Sequence, residues 1–291
     1  MMRNNGAMSA SDQSAPGEAP DLRNVTGPLV LVGAGKMGSA LLEGWLRLGL
    51  DGKSVAVLEP QPSAPIAALA SRGVRLNPQA QTLAEAAAIV VAVKPQVAGA
   101  VLPAVAPMIG AATVVVSIMA GRTLRFLSAT LARPCALVRA MPNTPAAIGR
   151  GITVAVAQRA NEAQRALAHR LLAATGAVEW IEDESLMDAV TAVSGSGPAY
   201  VFLLAQALAQ AGVAAGLPPP LAEKLARETV AGAGELLHRS PLPAATLREN
   251  VTSPGGTTAA ALAVLMGQRG LGELMQEAIA AATRRSRELG G

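Results

Sequence analysis

The stretch Leu29–Gly49, LVLVGAGKMGSALLEGWLRLG, decides the fold of this chain. Leu29–Val32 is a short run of apolar residues rich in branched side chains, which is typical of a strand buried on both faces of a sheet. Gly33–Gly38 follows at once and fits the pattern G-x-G-x-x-G. The apolar residues that come next recur at helical spacing: Met37, Leu41, Leu42, Trp45 and Leu48. Strand, glycine turn and helix in this order predict a dinucleotide-binding unit.

Each glycine of Gly33–Gly38 has its own physical role in such a unit. Gly33 permits a tight turn, Gly35 lets a pyrophosphate approach the backbone, and Gly38 lets the helix pack on the strand. The free N–H groups and the positive dipole at the start of the helix attract phosphate. An ordinary strand-to-helix turn is the alternative interpretation of the same pattern.

An acidic residue lies at the distance expected for ribose binding. Ser54–Leu58 predicts a second buried strand, and Glu59 follows it, 21 residues beyond Gly38. A carboxylate at this place can accept hydrogen bonds from the adenosine ribose hydroxyls, and it would repel a 2′-phosphate. Taken alone, Glu59 therefore favours NADH. It is equally consistent with a surface turn residue beside Pro60.

Predicted strands and helices alternate through the first part of the chain. Further buried strands are predicted at Ala88–Val93, Thr113–Ile118, Ala136–Arg139 and Ala177–Ile181. This alternation predicts an α/β fold with a Rossmann-like, doubly wound, mainly parallel sheet. From Ser185 onward the pattern is helical only. We therefore expect a disordered tail (1–27), a dinucleotide-binding domain (28–184) and an all-α, dimerising and substrate-binding domain (185–291).

The composition argues against several classes of protein. Hydrophobic residues make up 51% of the 291 residues, aromatic residues only 2%, and the net charge is +4. No basic stripe is interleaved with aromatic residues, so we expect no nucleic-acid partner. One cysteine and two histidines argue against a disulfide framework, and neither histidine lies in a metal or catalytic-triad motif. We therefore expect no bound metal.

The most apolar predicted helix, Pro198–Gly212, bears on both membranes and self-association. It is short for a membrane span and contains Gln206 and Gln210, and the first 27 residues lack the apolar stretch of a signal peptide. We therefore expect no membrane partner and a cytoplasmic protein. Because the helix is apolar nearly all round, we expect it to be buried. The apolar faces of the helical domain exceed what one small bundle can cover, which predicts a dimer.

A second glycine-rich loop, Asn250–Thr258, suggests the chemistry. Within it, Ser253–Thr258 is made of small residues and lies immediately before a predicted helix. Its exposed N–H groups and threonine hydroxyls predict a binding site for a carboxylate. A plain helix cap explains these residues equally well. Ser194–Pro198 is a similar turn before a helix, for which close helix packing is the alternative explanation.

Five segments occur together in one order. They are GAGKMG (Gly33–Gly38), AVKP (Ala92–Pro95), MPNTP (Met141–Pro145), AVSGSGPAY (Ala192–Tyr200) and NVTSPGGTT (Asn250–Thr258). With them the chain resembles the pyrroline-5-carboxylate reductases, from about Pro28 to the C-terminus. The pair SGSGPAY and SPGGTT is highly specific, whereas the glycine motif alone is shared with other dehydrogenases.

The resemblance implies reduction of 1-pyrroline-5-carboxylate to proline with NADPH or NADH, by a homodimer that, as in the family, forms rings of dimers. It assigns cofactor binding to Gly33, Ala34, Gly35, Lys36, Met37, Gly38, Ala92, Val93, Lys94, Pro95, Ala120 and Asn250. It assigns substrate binding to Ser253, Gly255, Gly256, Thr257 and Thr258, with Thr258 as the catalytic group that donates or relays a proton to nitrogen. The family commonly uses NADPH, whereas Glu59 favours NADH, so the preference stays open.

The implied reaction is hydride transfer to the C=N carbon of a cyclic imine. A protonated imine already carries the charge that hydride cancels, so the protein mainly supplies proximity and orientation. One alternative is another imine reductase or a β-hydroxyacid reductase. A β-hydroxyacid reductase needs a lysine base in the helical domain. Lys224 is the only lysine after Glu184, and its place beside Glu223 on a helix face predicted to be exposed argues against this role. A nucleotide-binding protein without turnover is the other alternative, and it leaves the two small-residue loops unexplained.

Overall fold

The computed structural model describes residues 21–83 and 85–290, and its centre is one eight-stranded sheet. The strands are β1 (Leu29–Val32), β2 (Val55–Leu58), β3 (Arg75–Leu76), β4 (Ala88–Val91), β5 (Val114–Ser117), β6 (Ala136–Met141), β7 (Gly151–Gln158) and β8 (Gly176–Trp180). They lie in the order β3-β2-β1-β4-β5-β6-β7-β8. The first six are parallel, which confirms the predicted mainly parallel sheet. The last two run the opposite way, and β7 is absent from the prediction.

Helices cover both faces of the sheet, which explains why its central strands are continuous apolar runs. These helices are α1 (Lys36–Arg47), α2 (Ala64–Ala68), α3 (Ala98–Val105), α4 (Leu124–Leu131) and α5 (Glu162–Ala173). α1 and α5 pack on one face, and α3 and α4 on the other. Between α1 and α5, Trp45 is fully buried and its indole N–H donates to the Leu171 carbonyl at 2.8 Å.

The end of the predicted tail is part of the sheet domain. Residues 1–20 of that tail lie outside the described residues. Within residues 21–27 the Leu22 side chain is fully buried in the core, its N–H donates to the Leu48 carbonyl at 3.1 Å, and Val25 packs partly buried beside it. Burial of such a side chain contributes about 1.5–3 kcal/mol, which offsets the cost of ordering the segment. This segment is therefore held on the sheet domain through Leu22, and the prediction of a disordered tail is wrong for residues 21–27.

The C-terminal part is helical throughout, as predicted. Its helices are α6 (Met187–Val190), α7 (Gly197–Ala214), α8 (Pro219–Arg239), α9 (Ala244–Asn250), α10 (Thr257–Leu265) and α11 (Leu271–Gly290). A π-helical turn, Thr191–Gly195, joins α6 to α7. α7 packs on α8, and α11 returns to α6, where the Ser286 hydroxyl donates to Asp188 Oδ1 at 2.7 Å.

The apolar side chains of α7 are exposed in the single chain, which contradicts the prediction that this helix is buried. Phe202 is 68% exposed, and Leu203 and Leu204 are also exposed. The helical run Glu184–Ala214 has a window of mean hydropathy 1.3 and is therefore long and apolar enough to cross a membrane. The predicted helix Pro198–Gly212 is short for a membrane span, but the longer helical run that contains it is not, so length and composition do not support the prediction that no segment can span a membrane. A surface of this kind needs a covering partner.

A carboxylate ties the start of the helical part to the sheet. Glu184 Oε1 accepts two hydrogen bonds at 2.8 Å, one from Arg139 Nη1 on β6 and one from the Leu124 N–H at the start of α4. Arg139 is buried, and the Glu184 side chain is 27% exposed. The preceding Asp183 accepts from the hydroxyl and N–H of Ser185, and these bonds lower the pKa of the Asp183 carboxyl. The chain therefore enters the helical part in a defined direction.

Replacement of Glu184 with alanine is expected to destabilise the protein by about 1–3 kcal/mol, because it leaves the buried Arg139 guanidinium and the Leu124 N–H without their acceptor. Glu182→Ala is the matched control, since its ion pair with Arg165 at 3.0 Å is exposed. We expect the control to cost less than about 0.5 kcal/mol. Denaturant unfolding at one protein concentration measures both values, and equal losses would contradict the role assigned to Glu184.

Candidate active site

Two glycines of the loop after β1 hold helix and strand together. Gly33 has φ +89°, and a Cβ there would lie 2.9 Å from the Ala92 carbonyl at the end of β4. A Cβ on Gly38 would overlap the Gly33 carbonyl oxygen. The Gly33 N–H donates to the Leu58 carbonyl at 2.9 Å, so the loop is also joined to the end of β2. Only glycine fits at these two positions.

The third glycine, Gly35, faces open space. Apart from its two chain neighbours, no residue of the described chain has a heavy atom within 4 Å of a Cβ placed on Gly35. Gly35 is the N-cap of α1, no side chain of the described residues caps this helix, and its first turn has no acidic residue. The N–H groups at its start, on Lys36 and Met37, are thus directed at an uncovered surface. This geometry suits a phosphate, so the residues present fit a dinucleotide.

Ala34 and Glu59, both predicted to contact the cofactor, contact each other. The Ala34 N–H donates to Glu59 Oε2 at 3.0 Å, and the Ala34 carbonyl accepts from the Ser39 hydroxyl at 2.8 Å. The N–H and the carbonyl of Ala34 are therefore already bonded, the first to Glu59 and the second to Ser39 in α1. Glu59 is half-buried, with its carboxylate beside the glycine loop, so it is more than a surface turn residue.

The residues predicted to flank the nicotinamide lie at neighbouring strand ends. Ala92, Val93 and Lys94 follow β4, and the Ala92 N–H donates to the Val32 carbonyl at 2.7 Å. Beyond them, Pro95 and Ala120 line a cleft of about 590 Å³ between the sheet edge and the helical part. The remaining lining residues are Gln96, Gly121, Arg122, Thr191, Ser196, Ala282, Arg285, Ser286 and Leu289. The cleft is thus continuous with the ends of β4 and β5, where ligands of such sheets bind.

Several cleft residues are absent from the sequence prediction. Arg122 donates from Nε and Nη2 to the Pro95 carbonyl at 3.1 and 3.0 Å, and its guanidinium lies 4.6 Å from the Phe126 ring centre. The only signal for Arg122 is its place after a predicted strand. Thr191 begins the π-helical turn and Ser196 caps its end, and such a distortion is frequent at functional sites.

The predicted substrate loop lies elsewhere in the single chain. Ser253, Gly255 and Thr257 are exposed, and Gly256 and Thr258 are half-buried, at the start of α10. Asn250 is exposed at the end of α9. Within the described residues, no hydrogen bond joins 250–258 to 21–184. One chain therefore brings Gly33–Gly38, Glu59 and Ala92 together, but it does not bring the substrate loop to them.

Comparison with family models divides the chain in two. Residues 184–289 match the model "pyrroline-5-carboxylate reductase dimerisation". Residues 28–121 match the model "NADP oxidoreductase coenzyme F420-dependent". The first match covers the helical part with its exposed α7, and the second covers the glycine loop and the ends of β4 and β5.

Whole-chain comparisons give the same picture. A pyrroline-5-carboxylate reductase of Pseudomonas aeruginosa is 39% identical over 264 residues, which cover 90% of this chain and 96% of that protein. One from Synechocystis is 46% identical over 221 residues, which cover 75% and 80%. The solved structure of a pyrroline-5-carboxylate reductase from Coxiella burnetii is 32% identical, with a TM-score of 0.85 over 92% of this chain and all of that one. A Plasmodium falciparum pyrroline carboxylate reductase, solved with NADP bound, is 29% identical, with a TM-score of 0.76 over 93% and 100%.

Proposed function

The chain belongs to the pyrroline-5-carboxylate reductases, and from that premise we propose how its residues serve the reaction. It is an oxidoreductase that reduces 1-pyrroline-5-carboxylate to proline with NAD(P)H. The observation that carries the assignment of residues is the cleft of about 590 Å³ at the ends of β4 and β5, at the same edge of the sheet as the open start of α1, since β1 and β4 are parallel neighbours. A dinucleotide whose pyrophosphate lies at Gly35 reaches this cleft along the sheet edge.

The protein's contribution is mainly binding and orientation. When bound, the reduced nicotinamide supplies the hydride for the C=N carbon of the imine. Ser253 and the N–H groups of Gly255, Gly256 and Thr257 bind the substrate carboxylate. The Thr258 hydroxyl relays a proton to the ring nitrogen and then accepts a hydrogen bond from the N–H of the protonated imine. These groups fix the imine carbon against the nicotinamide, and such positioning supplies much of the rate enhancement.

We infer that the substrate loop acts on the nucleotide site of a second copy. The family's dimerisation region covers the helical part, and the chain is an oligomer through it. α10 carries the loop and exposes Val264 and Leu265, so its apolar side is available for a partner. Asn250 would then contact the partner's cofactor. The basic assembly is a homodimer, and the dimers associate further into rings. The molecular mass in solution tests both statements.

Mixed dimers test this arrangement. NAD(P)H absorbance with 1-pyrroline-5-carboxylate measures turnover of Gly35→Asp, of Thr258→Val, and of the two variants co-expressed. If the loop acts across the dimer, one site of each mixed dimer is intact, and activity recovers to about a quarter of the wild type, since about half of the dimers are mixed. Activity no higher than the mean of the single variants would place the loop on its own chain. An inactive wild type would contradict the function itself.

The remaining proposals concern organisation and location. We divide the chain into a dinucleotide-binding domain up to residue 184 and a helical domain over 185–291, supported by the change from strands to helices after Trp180.

The apolar run Glu184–Ala214 serves as the interface with a second copy rather than as a membrane span. The enzyme is then cytoplasmic and binds neither nucleic acid nor membrane. Fractionation of cells that express the full chain tests the location.

A further inference from the structure

The carboxylate of Glu59 is held at both oxygens. Oε2 accepts from the Ala34 N–H at 3.0 Å, and Oε1 accepts from the Gln61 N–H at 3.1 Å. The first bond joins the carboxylate to the glycine loop, and the second joins it to its own turn. The charge therefore has a fixed place beside the loop, at the adjoining carboxyl ends of β1 and β2.

The backbone of Glu59 is held as well, by a residue from the edge of the sheet. Asn77 follows β3, its Oδ1 accepts from the Glu59 N–H at 2.8 Å, and its Nδ2 donates to the Glu59 carbonyl at 2.8 Å. The Asn77 N–H in turn donates to the Val57 carbonyl on β2 at 2.8 Å. Because the Asn77 amide hydrogen-bonds both the N–H and the carbonyl of Glu59, the backbone of Glu59 is held in a single orientation.

The backbone of Asn77 shows how this contact is built. Its φ is +46°, in the left-handed region, which asparagine tolerates better than other residues with a Cβ. This conformation turns the chain after β3 so that the amide faces Glu59 across the carboxyl end of the sheet. A turn alone does not require the two bonds to Glu59, since glycine satisfies the same φ.

We propose that Asn77 is a positioning residue for cofactor choice, and that Asn77 and Glu59 together make this enzyme prefer NADH to NADPH. A fixed carboxylate at the end of β2 accepts from a ribose 2′-hydroxyl. A 2′-phosphate at the same place brings two more negative charges, and Glu59 cannot turn away because both its backbone and its carboxylate are held. The inference rests on the proposed function, in that the dinucleotide lies on the glycine loop.

Two variants and a matched control separate the roles. Asn77→Gly keeps the left-handed backbone and removes the amide, and Glu59→Ser removes the charge. Ala132→Gly is the control, because Ala132 ends α4 with φ +51° far from the glycine loop. Fluorescence titration gives the Kd of NADH and of NADPH for each full-length variant, and kcat/KM gives the same preference under turnover.

We expect the wild type to prefer NADH by about tenfold or more, as charge repulsion at a partly exposed site predicts. Asn77→Gly lowers this preference several-fold, Glu59→Ser removes or reverses it, and Ala132→Gly leaves it unchanged. Because Asn77 acts through Glu59, adding Asn77→Gly to Glu59→Ser changes the preference no further.

Three results would overturn the inference. They are a wild type that binds NADPH as well as NADH, a preference that Asn77→Gly leaves intact, and a further change in the double variant. In each of these cases both cofactors still bind, so the proposed function stands. Failure of the wild type to bind either cofactor would instead overturn both. A lower melting temperature of Asn77→Gly does not by itself alter the ratio of the two Kd values, so a merely structural role is distinguished.

Discussion

Replacing Gly35 with aspartate is expected to abolish NAD(P)H binding while the protein still folds. Gly35 has φ −68° and ψ −168°, which aspartate adopts readily, and apart from its chain neighbours no described residue would lie within 4 Å of a Cβ there. Aspartate is also a preferred N-cap, so α1 is stabilised rather than broken. The added carboxylate, however, lies where a pyrophosphate must bind.

The size of the effect follows from charge. Two unit charges about 4 Å apart repel by roughly 4 kcal/mol at an effective dielectric constant of about 20. Because Gly35 is exposed, we discount this for solvent and expect Kd to rise at least about a hundredfold. Gly35→Asn is the control, with the same shape and no charge, and its Kd should rise much less. If Gly35→Asp binds NADH and NADPH with wild-type affinity, the phosphate does not lie at this loop.

The sequence predicted the nucleotide-binding half well because its signals are local. Gly33, Gly35 and Gly38 lie within six residues, so their spacing alone determines how turn, strand and helix meet. β7 has no such signal. Only a short 3-10 helix, Thr144–Ile148, separates it from β6, instead of the α-helix that an alternating pattern predicts. The place of β7 depends on antiparallel pairing with Arg139 and its neighbours.

The cleft was less predictable, since distant segments form it. Thr191 and Arg285 meet there because α11 docks on α6, where Ser286 bonds Asp188, 98 residues earlier. Asn77 was missed for a related reason: its bonds to Glu59 depend on β2 and β3 being neighbours. Nothing in a one-dimensional pattern reports such pairs.

The exposed apolar helices show a different limit of sequence reasoning. The all-round apolar pattern of α7 predicts burial, but it does not say which molecule supplies the cover. In one chain α7 and α10 remain exposed, and the same chain leaves the substrate loop away from the cleft. Both facts have one explanation if a second copy covers these helices and completes the site.

Replacing Thr258 with valine is expected to lower kcat/KM for 1-pyrroline-5-carboxylate by about ten- to a hundredfold. Valine keeps the shape of the side chain and removes only the hydroxyl. The loss of one hydrogen bond to a charged group is worth roughly 1.5–3 kcal/mol, which corresponds to this range. Thr258 lies in the first turn of α10, where threonine and valine have similar helix propensity, so the helix itself is little affected.

The control and the cofactor titration show whether the hydroxyl acts on the substrate. In Thr252 the hydroxyl donates to the Arg248 carbonyl at 2.6 Å, so Thr252→Val removes a threonine hydroxyl that the substrate does not use. We expect it to retain nearly full kcat/KM. NADH affinity of Thr258→Val should hardly change, because the nucleotide is held by the loop after β1. An imine without the carboxylate should also react poorly with the wild type, since the N–H groups of Gly255 and Gly256 then have no anion to bind. If Thr258→Val instead turns over normally in a folded enzyme, Ser253–Thr258 is a helix cap, and the groups that orient the imine must be those around Lys94 and the π-helical turn.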